Sequence, residues 1–371
     1  MRACLHVVLI CHYGRAGYNV LRSLNNVDAK IFVIRDARSI SMRYSLRSKV
    51  VKVVPQIADA DPVAIANVIN DLHRKYGVDS VIGADVESQA LILRMRDHLK
   101  CPLFPIASTA TLNLLNNKWT FYQLCRRLDV PVPKSILCQD RAAINPDHIG
   151  QHLGWPVIVK PIAGYGQRGI LILKDQDDFI KRFVGGTDQT PMIIQEYLDG
   201  PDWALGVFAR CGKVEHWVVW ICPGQMDTSY GVGRFLSTEF LDRRDLAEMG
   251  EKLIAETDFS GIANFDLRFD SRTDTIRMLE CNPRCFNRML TARANGMDFV
   301  KPGLPGYAGT QPRALGRASF YPWQELFTLR GIKRLVGGRW PVKPLVRDLR
   351  DMLVDPLVPI MRKVHKEDSR D

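Results

Sequence analysis

The sequence predicts a mixed α/β fold in which a parallel sheet is followed by largely antiparallel strands. Strand-like and helix-like segments alternate over the first hundred residues, and strands separated by short, glycine-bearing turns dominate from residue 156 onward. The chain has 371 residues, 46% hydrophobic and 25% charged, which is enough for two or three packed units. This composition excludes collagen-like sequence and large-scale disorder.

The first hundred residues follow a strand–helix–strand order. Apolar runs at 3–10, 29–34, 50–54 and 80–83 predict strands, and apolar residues near helical spacing over 63–72 predict a helix. Such an order is typical of a parallel sheet with helices on both faces, in which the loops at the strand carboxyl ends face the ligand.

From residue 116 the pattern changes. A helix is predicted at 119–128, closed by the Val-Pro-Val-Pro segment at 130–133. Further helices are predicted at 177–184 and 244–258, and strands at 156–160, 170–173, 192–196, 204–209, 216–221, 262–269 and 276–281. The short turns between these strands indicate mostly antiparallel pairing.

A glycine-rich loop joins two of these strands. Gly164, Gly166 and Gly169 form a GxGxxG pattern between a strand ending at Lys160 and a strand starting at Ile170. A dinucleotide fingerprint has to open a helix, so we interpret this pattern as the tip of a β-hairpin whose backbone N–H groups can approach phosphates. Lys160 would add a positive charge there. The alternative is a mobile hairpin beside an ordinary surface lysine.

Oxygen-bearing side chains recur in the last two predicted strands. Glu280 and Asn282 share one strand face because side chains alternate with a period of two. If Asp270 pairs with Ile276, Asp266 falls opposite Glu280. Two carboxylates and an amide oxygen suit Mg²⁺ at nucleotide phosphates; the alternative is a solvated strand face. The other face is predicted to be buried by Ile262, Phe265, Leu267, Met278 and Leu279.

Two further features extend this constellation. Arg284 lies one strand step beyond Asn282, where its guanidinium can hold a phosphoryl oxygen. The apolar strand at 192–196 leads to Gln195, Glu196, a turn and Asp202, an order that suits an adenine edge followed by ribose hydroxyls. A buried strand with a solvated turn is the alternative for this segment.

In this order and spacing, these segments resemble the ATP-grasp superfamily over roughly residues 1–310. Glu280-x-Asn282-x-Arg284 is the most specific part and is most similar to the carbamoyl-phosphate synthase large-subunit and biotin carboxylase branch. The segment 117–120, Asn-Lys-Trp-Thr, looks like the lysine motif of the family, with Asn in place of the usual Asp. The resemblance implies a Rossmann-like pre-ATP-grasp domain at 1–110 and an ATP-grasp domain of two α+β subdomains at 111–312, with its flap subdomain at about 134–200.

The resemblance also implies roles for individual residues. Lys118 and Lys160 would contact the α and β phosphates, and the 164–169 flap, with Gly164, Gly166 and Gly169, would cover the γ phosphate. The implied ligands of Mg²⁺, with Mn²⁺ as an alternative ion, are Asp266, Glu280 and Asn282. The implied neighbours of the adenosine part of ATP are Gln195, Glu196, Tyr197 and Leu198 at adenine and Asp202 at ribose.

Members of this superfamily join a carboxylate to an amine through an acylphosphate. The resemblance therefore implies an ADP-forming ligase acting on an amino acid or small peptide, with Arg284 and Lys160 as catalytic residues. Arg234 and Arg288 are candidates for pairing with a substrate carboxylate, against the alternative of surface arginines. Two other functions stay open: a carboxyphosphate or carbamoyl-phosphate type of enzyme, and a non-catalytic nucleotide-binding protein.

The positive charge concentrates near the end of the sequence. The net charge is +11, and the 313–371 tail holds 13 Lys or Arg against 7 Asp or Glu, or +6. Amphipathic helices packed on the body are one interpretation of this basic tail. A peripheral membrane contact through Arg330, Lys333 and Arg334 is the other. Nucleic-acid binding is disfavoured because no RRM, KH or helix-turn-helix pattern is present.

Cysteine usage and hydropathy indicate the compartment. The nine cysteines include no CxxC pair, which favours reduced thiols over a disulfide framework or a zinc site. No apolar run reaches the ~18 residues of a transmembrane helix, and the first residues show no signal-peptide pattern. We therefore expect a cytoplasmic protein whose partners are small-molecule carboxylate and amine substrates, and a homodimer is compatible with the sequence.

Overall fold

The structure is a computed structural model that describes residues 4–164, 169–184, 186, 191–222, 237–307, 309, 314–319, 355 and 357–365. Three sequence predictions lie outside these residues: Gly166 in the glycine loop, Arg234 as a substrate contact, and the membrane-binding alternative for Arg330, Lys333 and Arg334. The fold is mixed α/β, as predicted. Its described strands form three sheets.

The first sheet is parallel. Its strands are β1 (Leu5–Cys11), β2 (Ala29–Asp36), β3 (Ser48–Val54) and β4 (Ser80–Gly83), in the order β3-β2-β1-β4. Its helices are α1 (Gly14–Ser23), α2 (Pro62–Tyr76) and α3 (Val86–Arg94). Alternate residues of β1 enter two different core clusters, which explains why the strand is continuously apolar. The predicted parallel pairing is confirmed, and the extent of a separate 1–110 domain stays a prediction.

The second sheet is antiparallel and carries the glycine loop. Its strands are β5 (Ser135–Cys138), β6 (Val157–Pro161), β7 (Leu171–Leu173) and β8 (Met192–Glu196), in the order β5-β8-β6-β7. Helices α4 (Thr109–Asn116) and α5 (Lys118–Arg127) precede it; α6 (Pro146–Leu153) and α7 (Gln176–Phe179) accompany it, and α7 continues as a π-helical turn, Ile180–Val184. Because β6 and β7 are antiparallel neighbours, the loop joins a β-hairpin, as predicted.

The third sheet has six described strands in the order β13-β12-β9-β10-β11-β14. They are β9 (Asp202–Arg210), β10 (Lys213–Ile221), β11 (Ser237–Leu241), β12 (Gly261–Asp270), β13 (Thr275–Asn282) and β14 (Gly316–Ser319), all paired antiparallel. Helix α8 (Arg244–Glu256) covers one face through Leu246, Leu253 and Ile254, and α9 (Met289–Ala294) follows β13.

The register of β12 and β13 corrects the sequence prediction. Asp270 pairs with Thr275, and Phe269 lies opposite Ile276. A β-bulge between Asp266 and Leu267 shifts the pairing by one residue, so that Asp266 still lies opposite Glu280. The premise of the prediction was therefore wrong, and its conclusion is confirmed because the bulge compensates.

The predicted buried face also needs correction. Phe265, Leu267 and Met278 do share one core cluster. Ile262 belongs to a different cluster, and Leu279 is only half-buried. The reasons are geometric: Ile262 lies three residues before Phe265 and therefore on the opposite face of β12, and Leu279 is the extra residue of β13 at the bulge.

The last described residues return to the first sheet. Helix α10 (Leu357–Val364) lies against the 3₁₀ turn Ile40–Tyr44, with Val358 fully buried. Asp355 accepts hydrogen bonds from Ser45 Oγ at 2.6 Å and from the Leu46 N–H at 2.8 Å. Among the described residues, no helix has the length and apolar character required to cross a bilayer.

Candidate active site

The three predicted metal ligands meet on one face of β12 and β13. Asn282 Nδ2 donates to Asp266 Oδ2 at 3.0 Å and lies 3.4 Å from Glu280 Oε1. Asp266 and Glu280 are directly opposite in the ladder. Cross-strand pairing thus brings two carboxylates and an amide together, and the other face of both strands is fixed by the apolar core.

Asn264 is a neighbour of these ligands that the sequence analysis missed. It is 7% exposed, pairs with Asn282 across the ladder, and donates from Nδ2 to Asp266 Oδ1 at 2.7 Å. Within the described residues, its Oδ1 is buried without a hydrogen-bond partner. Its position two residues before Asp266 was the available signal, because strand residues two apart share a face.

Two lysines approach the carboxylates from the second sheet and from α5. Lys118 Nζ lies 3.2 Å from Glu280 Oε2 and donates to the Gly164 carbonyl at 3.1 Å. Asn117 caps α5, with Oδ1 accepting from the N–H groups of Trp119 and Thr120, so it can perform the capping role of an Asp here. The Lys118 N–H donates to the Ile162 carbonyl at 2.8 Å, which joins α5 to the chain just after β6 and hence near Lys160.

The charges of this cluster shift one another's proton equilibria. The pKa of Lys160 is lowered to about 8, chiefly by burial; the Glu280 carboxylate opposes this shift and the Lys118 ammonium contributes to it. Burial and the Glu280 carboxylate raise the pKa of Asp266. Burial alone would raise the pKa of Glu280 as well, but the positive charges of Lys118 and Lys160 lower it overall. Glu280 is therefore the carboxyl group that loses its proton more readily. Asp266 keeps its proton to higher pH unless a cation binds nearby.

These residues fit a divalent cation that prefers oxygen ligands. Two carboxylates and an amide side chain provide oxygen donors, and the mutual repulsion of the carboxylates, visible in the raised pKa of Asp266, is what a cation relieves. Among the described residues, no group of three His, Cys, Asp or Glu side chains forms an alternative metal cluster. The donor set therefore suits Mg²⁺ better than zinc.

The described ends of the glycine loop require glycine. Gly164 has φ +110° and Gly169 has φ +73°, a region that L side chains rarely adopt. A Cβ on Gly169 would come within 3.0 Å of the Pro161 ring. Both ends of the hairpin loop are thus set by backbone conformation, next to Lys160 and Lys118.

In the segment predicted to surround adenine, Gln195 and Glu196 are held by hydrogen bonds and an ion pair to neighbouring segments of the chain. Gln195 Nε2 donates to Ser135 Oγ at 2.9 Å. The Glu196 carboxylate accepts the Lys134 N–H at 2.7 Å and pairs with Arg277. The Glu196 side chain is therefore committed to neighbouring protein groups, so only its backbone remains for an adenine edge.

Arg268 anchors the same segment and was not predicted. This arginine is 2% exposed; its Nε donates to the Leu198 carbonyl at 2.8 Å and its Nη1 to Asp202 Oδ1 at 2.7 Å. Its guanidinium carbon lies 5.8 Å from the centre of the Tyr197 ring. Asp202, predicted at ribose, is thus oriented by an ion pair and keeps 40% of its side chain exposed.

The two described arginine candidates follow β13. Arg284 Nη2 donates to Asn282 Oδ1 at 3.3 Å, which places its guanidinium beside the predicted metal ligands. Arg288 Nη2 lies 3.7 Å from Cys222 Sγ, at the start of the segment that includes Arg234. Burial raises the pKa of the Cys285 thiol to about 12 and also raises that of the Cys281 thiol well above its ordinary value. Both thiols lie in core clusters, and each of the nine cysteines is a free thiol, in line with the predicted reduced state.

A second polar cluster lies at the carboxyl edge of the parallel sheet. Asp85, which caps α3, also accepts the N–H groups of His12 at 2.8 Å and Tyr13 at 3.0 Å. His12 in turn contacts Asp36, the last residue of β2, and Arg38, two residues further on. The sequence signal for this cluster was the occurrence of charged or polar residues directly after β1, β2 and β4.

Comparisons with known proteins were consistent with this geometry. Residues 115–287 match the family described as an ATP-grasp domain. The chain is similar to D-aspartate ligase of Enterococcus faecium, with 22% identity over 307 residues, covering 76% of this chain and 72% of the ligase. It is 23% identical over 226 residues to the C-terminal section of the carbamoyl phosphate synthase large chain of Methanopyrus kandleri, covering 56% of this chain and only 40% of that protein.

The fold is shared with solved structures. N5-carboxyaminoimidazole synthetase from Staphylococcus aureus, crystallised with ADP, superposes with a TM-score of 0.64 and 16% identity, covering 83% of this chain and 80% of that chain. The likeness extends beyond the 115–287 match, since the covered share exceeds that segment.

Proposed function

The chain contains an ATP-grasp domain at residues 115–287, and on this premise we propose that it is an ATP- and Mg²⁺-dependent ligase. It would activate a carboxylate as an acylphosphate, release ADP, and transfer the acyl group to an amine. One observation carries the proposal: Asp266, Glu280 and Asn282 converge in register beside Lys118. Fold similarity alone would not support it, because one fold serves many chemistries.

Each proposed role follows from the charge and position of a side chain. When bound, Mg²⁺ supplies charge neutralisation on the phosphate oxygens. Lys118 and Lys160 would offset the remaining phosphate charge, and Arg284 would orient the transferred phosphoryl group and the later oxyanion. The 164–169 loop would exclude water, which otherwise hydrolyses the acylphosphate. Burial prepares Lys160 for this role, because a desolvated ammonium binds an anion more strongly.

An amino acid or small peptide is the substrate class that we propose. The similarity to a D-aspartate ligase over three quarters of this chain supports an amino-acid carboxylate as the activated group. Arg288 beside Cys222, and Arg234 further along that segment, remain our candidates for the substrate carboxylate.

A carboxyphosphate-forming enzyme is the second candidate. The similarity to carbamoyl phosphate synthase favours it, and the nucleotide site would be the same. The two functions differ in the acid that is phosphorylated. ATP turnover that depends on bicarbonate, with no product heavier than a carbamate, would identify this second candidate.

The experiment incubates the protein with ATP, Mg²⁺ and a pool of L- and D-amino acids, and follows ADP, phosphate and new masses. We expect ADP and phosphate in equal amounts together with a ligated mass. Glu280→Gln is the matched inactive variant. Formation of AMP and pyrophosphate alone would contradict an acylphosphate, and binding of ATP without any turnover would favour a non-catalytic nucleotide-binding protein.

A further inference from the structure

A buried histidine at the carboxyl edge of the parallel sheet has no role in the proposed phosphoryl transfer. His12 is 6% exposed, and its Nδ1 lies 2.8 Å from Asp36 Oδ2. Asp36 is fully buried and also accepts the Ile57 N–H at 3.1 Å and the Arg38 N–H at 2.9 Å. Enzymes use a buried carboxylate, itself held by other hydrogen bonds, to orient a histidine whose imidazole acts as a base.

The hydrogen bonds fix which nitrogen carries the proton. Burial alone raises the pKa of Asp36, but the hydrogen bonds from Arg38 and Ile57 lower it overall, so Asp36 is ionised and accepts the Nδ1 proton of His12. Arg38 Nη2 can only donate, and it lies 2.9 Å from His12 Nε2. The lone pair of His12 is therefore on Nε2. Arg38 is 49% exposed, so a substrate group can take its place without opening the core.

His12 lies next to the first turn of α3, and that turn contacts the segment that follows β13. The His12 N–H donates to Ser88 Oγ at 3.1 Å in the first turn of α3. The next residue, Gln89, donates from Nε2 to the Pro283 carbonyl at 3.0 Å, and Arg284 follows. Burial raises the pKa of the nearby Glu87 carboxyl, Asp85 adds to the rise, and Arg284 opposes it, which puts Glu87 within electrostatic range of Arg284.

We propose that His12, positioned by Asp36, is the base that accepts the proton of the acceptor amine, and that the acceptor binds between the carboxyl edge of the parallel sheet and Arg284. This inference rests on the proposed ligase function. The amine lone pair forms a C–N bond to the acyl carbon, the bond from that carbon to the phosphate oxygen breaks with its electron pair, and the amine proton passes to His12 Nε2. No oxidant or reductant is involved, so the step balances.

Two other roles fit the geometry less well. An acidic residue at the end of a second parallel strand is where many dinucleotide sites bind ribose hydroxyls, but Asp36 is fully buried and its oxygens already accept five hydrogen bonds from the protein. A purely structural brace would explain the hydrogen bonds of Asp36. A structural brace does not require that the group bonded to His12 Nε2, the Arg38 guanidinium, should be half exposed.

Hydroxylamine separates acyl activation from amine activation. It is largely unprotonated at neutral pH, so it traps an acylphosphate as a hydroxamate without help from a base. With ATP, Mg²⁺ and the amino-acid pool, we expect His12→Gln to form hydroxamate within about threefold of wild type. Amide formation should fall ~10²-fold or more, the usual contribution of a general base, and should recover at alkaline pH as free amine accumulates.

Asp36→Asn is the test of the positioning role. This variant should lower the rate of amide formation less than His12→Gln does, and the rate should recover at alkaline pH in both variants. The charged groups facing His12 are Asp36, Arg38, Asp85 and Glu87. Arg38→Met removes the donor at Nε2 and also the side-chain hydrogen bond that helps to keep Asp36 ionised, so amide formation should fall as in Asp36→Asn and recover at alkaline pH. His216→Gln, another buried histidine, on β10, is the matched control.

The outcomes are distinguishable. If wild type forms no hydroxamate, the proposed ligase function fails and the base proposal with it. If wild type forms hydroxamate but His12→Gln makes amide at the wild-type rate, only the base proposal is overturned. Equal loss of hydroxamate and amide, with a melting temperature lowered alike in His12→Gln and Arg38→Met, would overturn it in favour of a structural brace.

Discussion

Glu280 connects the carboxylates of the candidate site with its lysines. It faces Asp266 across the ladder, lies 3.2 Å from Lys118, and keeps a lowered pKa between two lysines. Glu280→Gln should lower phosphate release ~10²-fold or more, because it removes a charge needed in the transition state. Binding of a nucleotide analogue, measured by calorimetry, should be largely retained.

Glu256→Gln is the control for that change, since Glu256 pairs with Arg127 on the surface at 2.8 Å. Its turnover should match wild type. Wild-type turnover in Glu280→Gln would remove this residue from the proposed metal site.

Asp266 gives the candidate site a dependence on pH. Its pKa is raised by burial and by Glu280, so its contribution to stability is fully present at pH values where an unfolded aspartate is protonated and is lost as pH rises through the folded pKa. Without metal, Asp266→Asn should therefore gain melting temperature relative to wild type between pH 5 and pH 8.

With Mg²⁺ and a non-hydrolysable nucleotide at pH 8, wild type should have the higher melting temperature, because a cation stabilises the carboxylate that Asp266→Asn lacks. A difference between variant and wild type that is constant with pH would show that Asp266 does not titrate in this range. Thermal unfolding followed by circular dichroism measures both effects.

At the level of elements, Arg268 on β12 connects the ladder of the proposed metal site to the proposed adenine segment. Its guanidinium holds the Leu198 carbonyl and the Asp202 carboxylate. Arg268→Met should raise KM for ATP about tenfold or more and change kcat less, because an unsatisfied buried carbonyl costs ~1–3 kcal/mol and displaces the segment. Arg268→Lys should recover only part of the affinity, since an ammonium cannot replace two fixed N–H donors.

Arg74→Met is the surface control for Arg268, because Arg74 is 76% exposed and its ion pair within the described part of the chain is with its helix neighbour Asp71. Its KM and melting temperature should equal those of wild type. If Arg268→Met leaves KM unchanged while lowering the melting temperature, the residue stabilises the fold without positioning the nucleotide segment.

At the level of the whole molecule, the chain end is joined to the first sheet. Val358 is fully buried in a cluster shared with residues of α1 and β1, whereas the adjacent Leu357 is 40% exposed. Val358→Ala should lower the free energy of unfolding by about 2 kcal/mol, and Leu357→Ala by less than ~0.5 kcal/mol. Urea unfolding of the two variants measures the difference, and equal effects would contradict docking of α10 in solution.

The same docking bears on the basic tail. Asp355, whose pKa is raised by burial, sits 1% exposed beneath Ser45 and Leu46. This end of the tail packs on the protein, in line with the packed interpretation, while Arg330, Lys333 and Arg334 lie outside the described residues. Removal of residues 355–371 should therefore lower thermal stability, as measured by calorimetry.

The sequence alone determined the features that depend on local periodicity. The alternation of β1 to β4, the glycine hairpin between β6 and β7, and the shared face of Glu280 and Asn282 all follow from spacing within a few residues. Such patterns are readable because strand and helix periods are fixed by backbone geometry.

Only the tertiary structure decided the contacts between distant segments. The bulge beside Asp266, the approach of Lys118 to Glu280, and the burial of Arg268 under Leu198 each join residues that are remote in sequence or out of simple register. The pairing of His12 with Asp36 is of the same kind. The physical reason is that these contacts depend on how whole sheets pack and on where a ladder slips by one residue, and neither leaves a periodic signal in the chain.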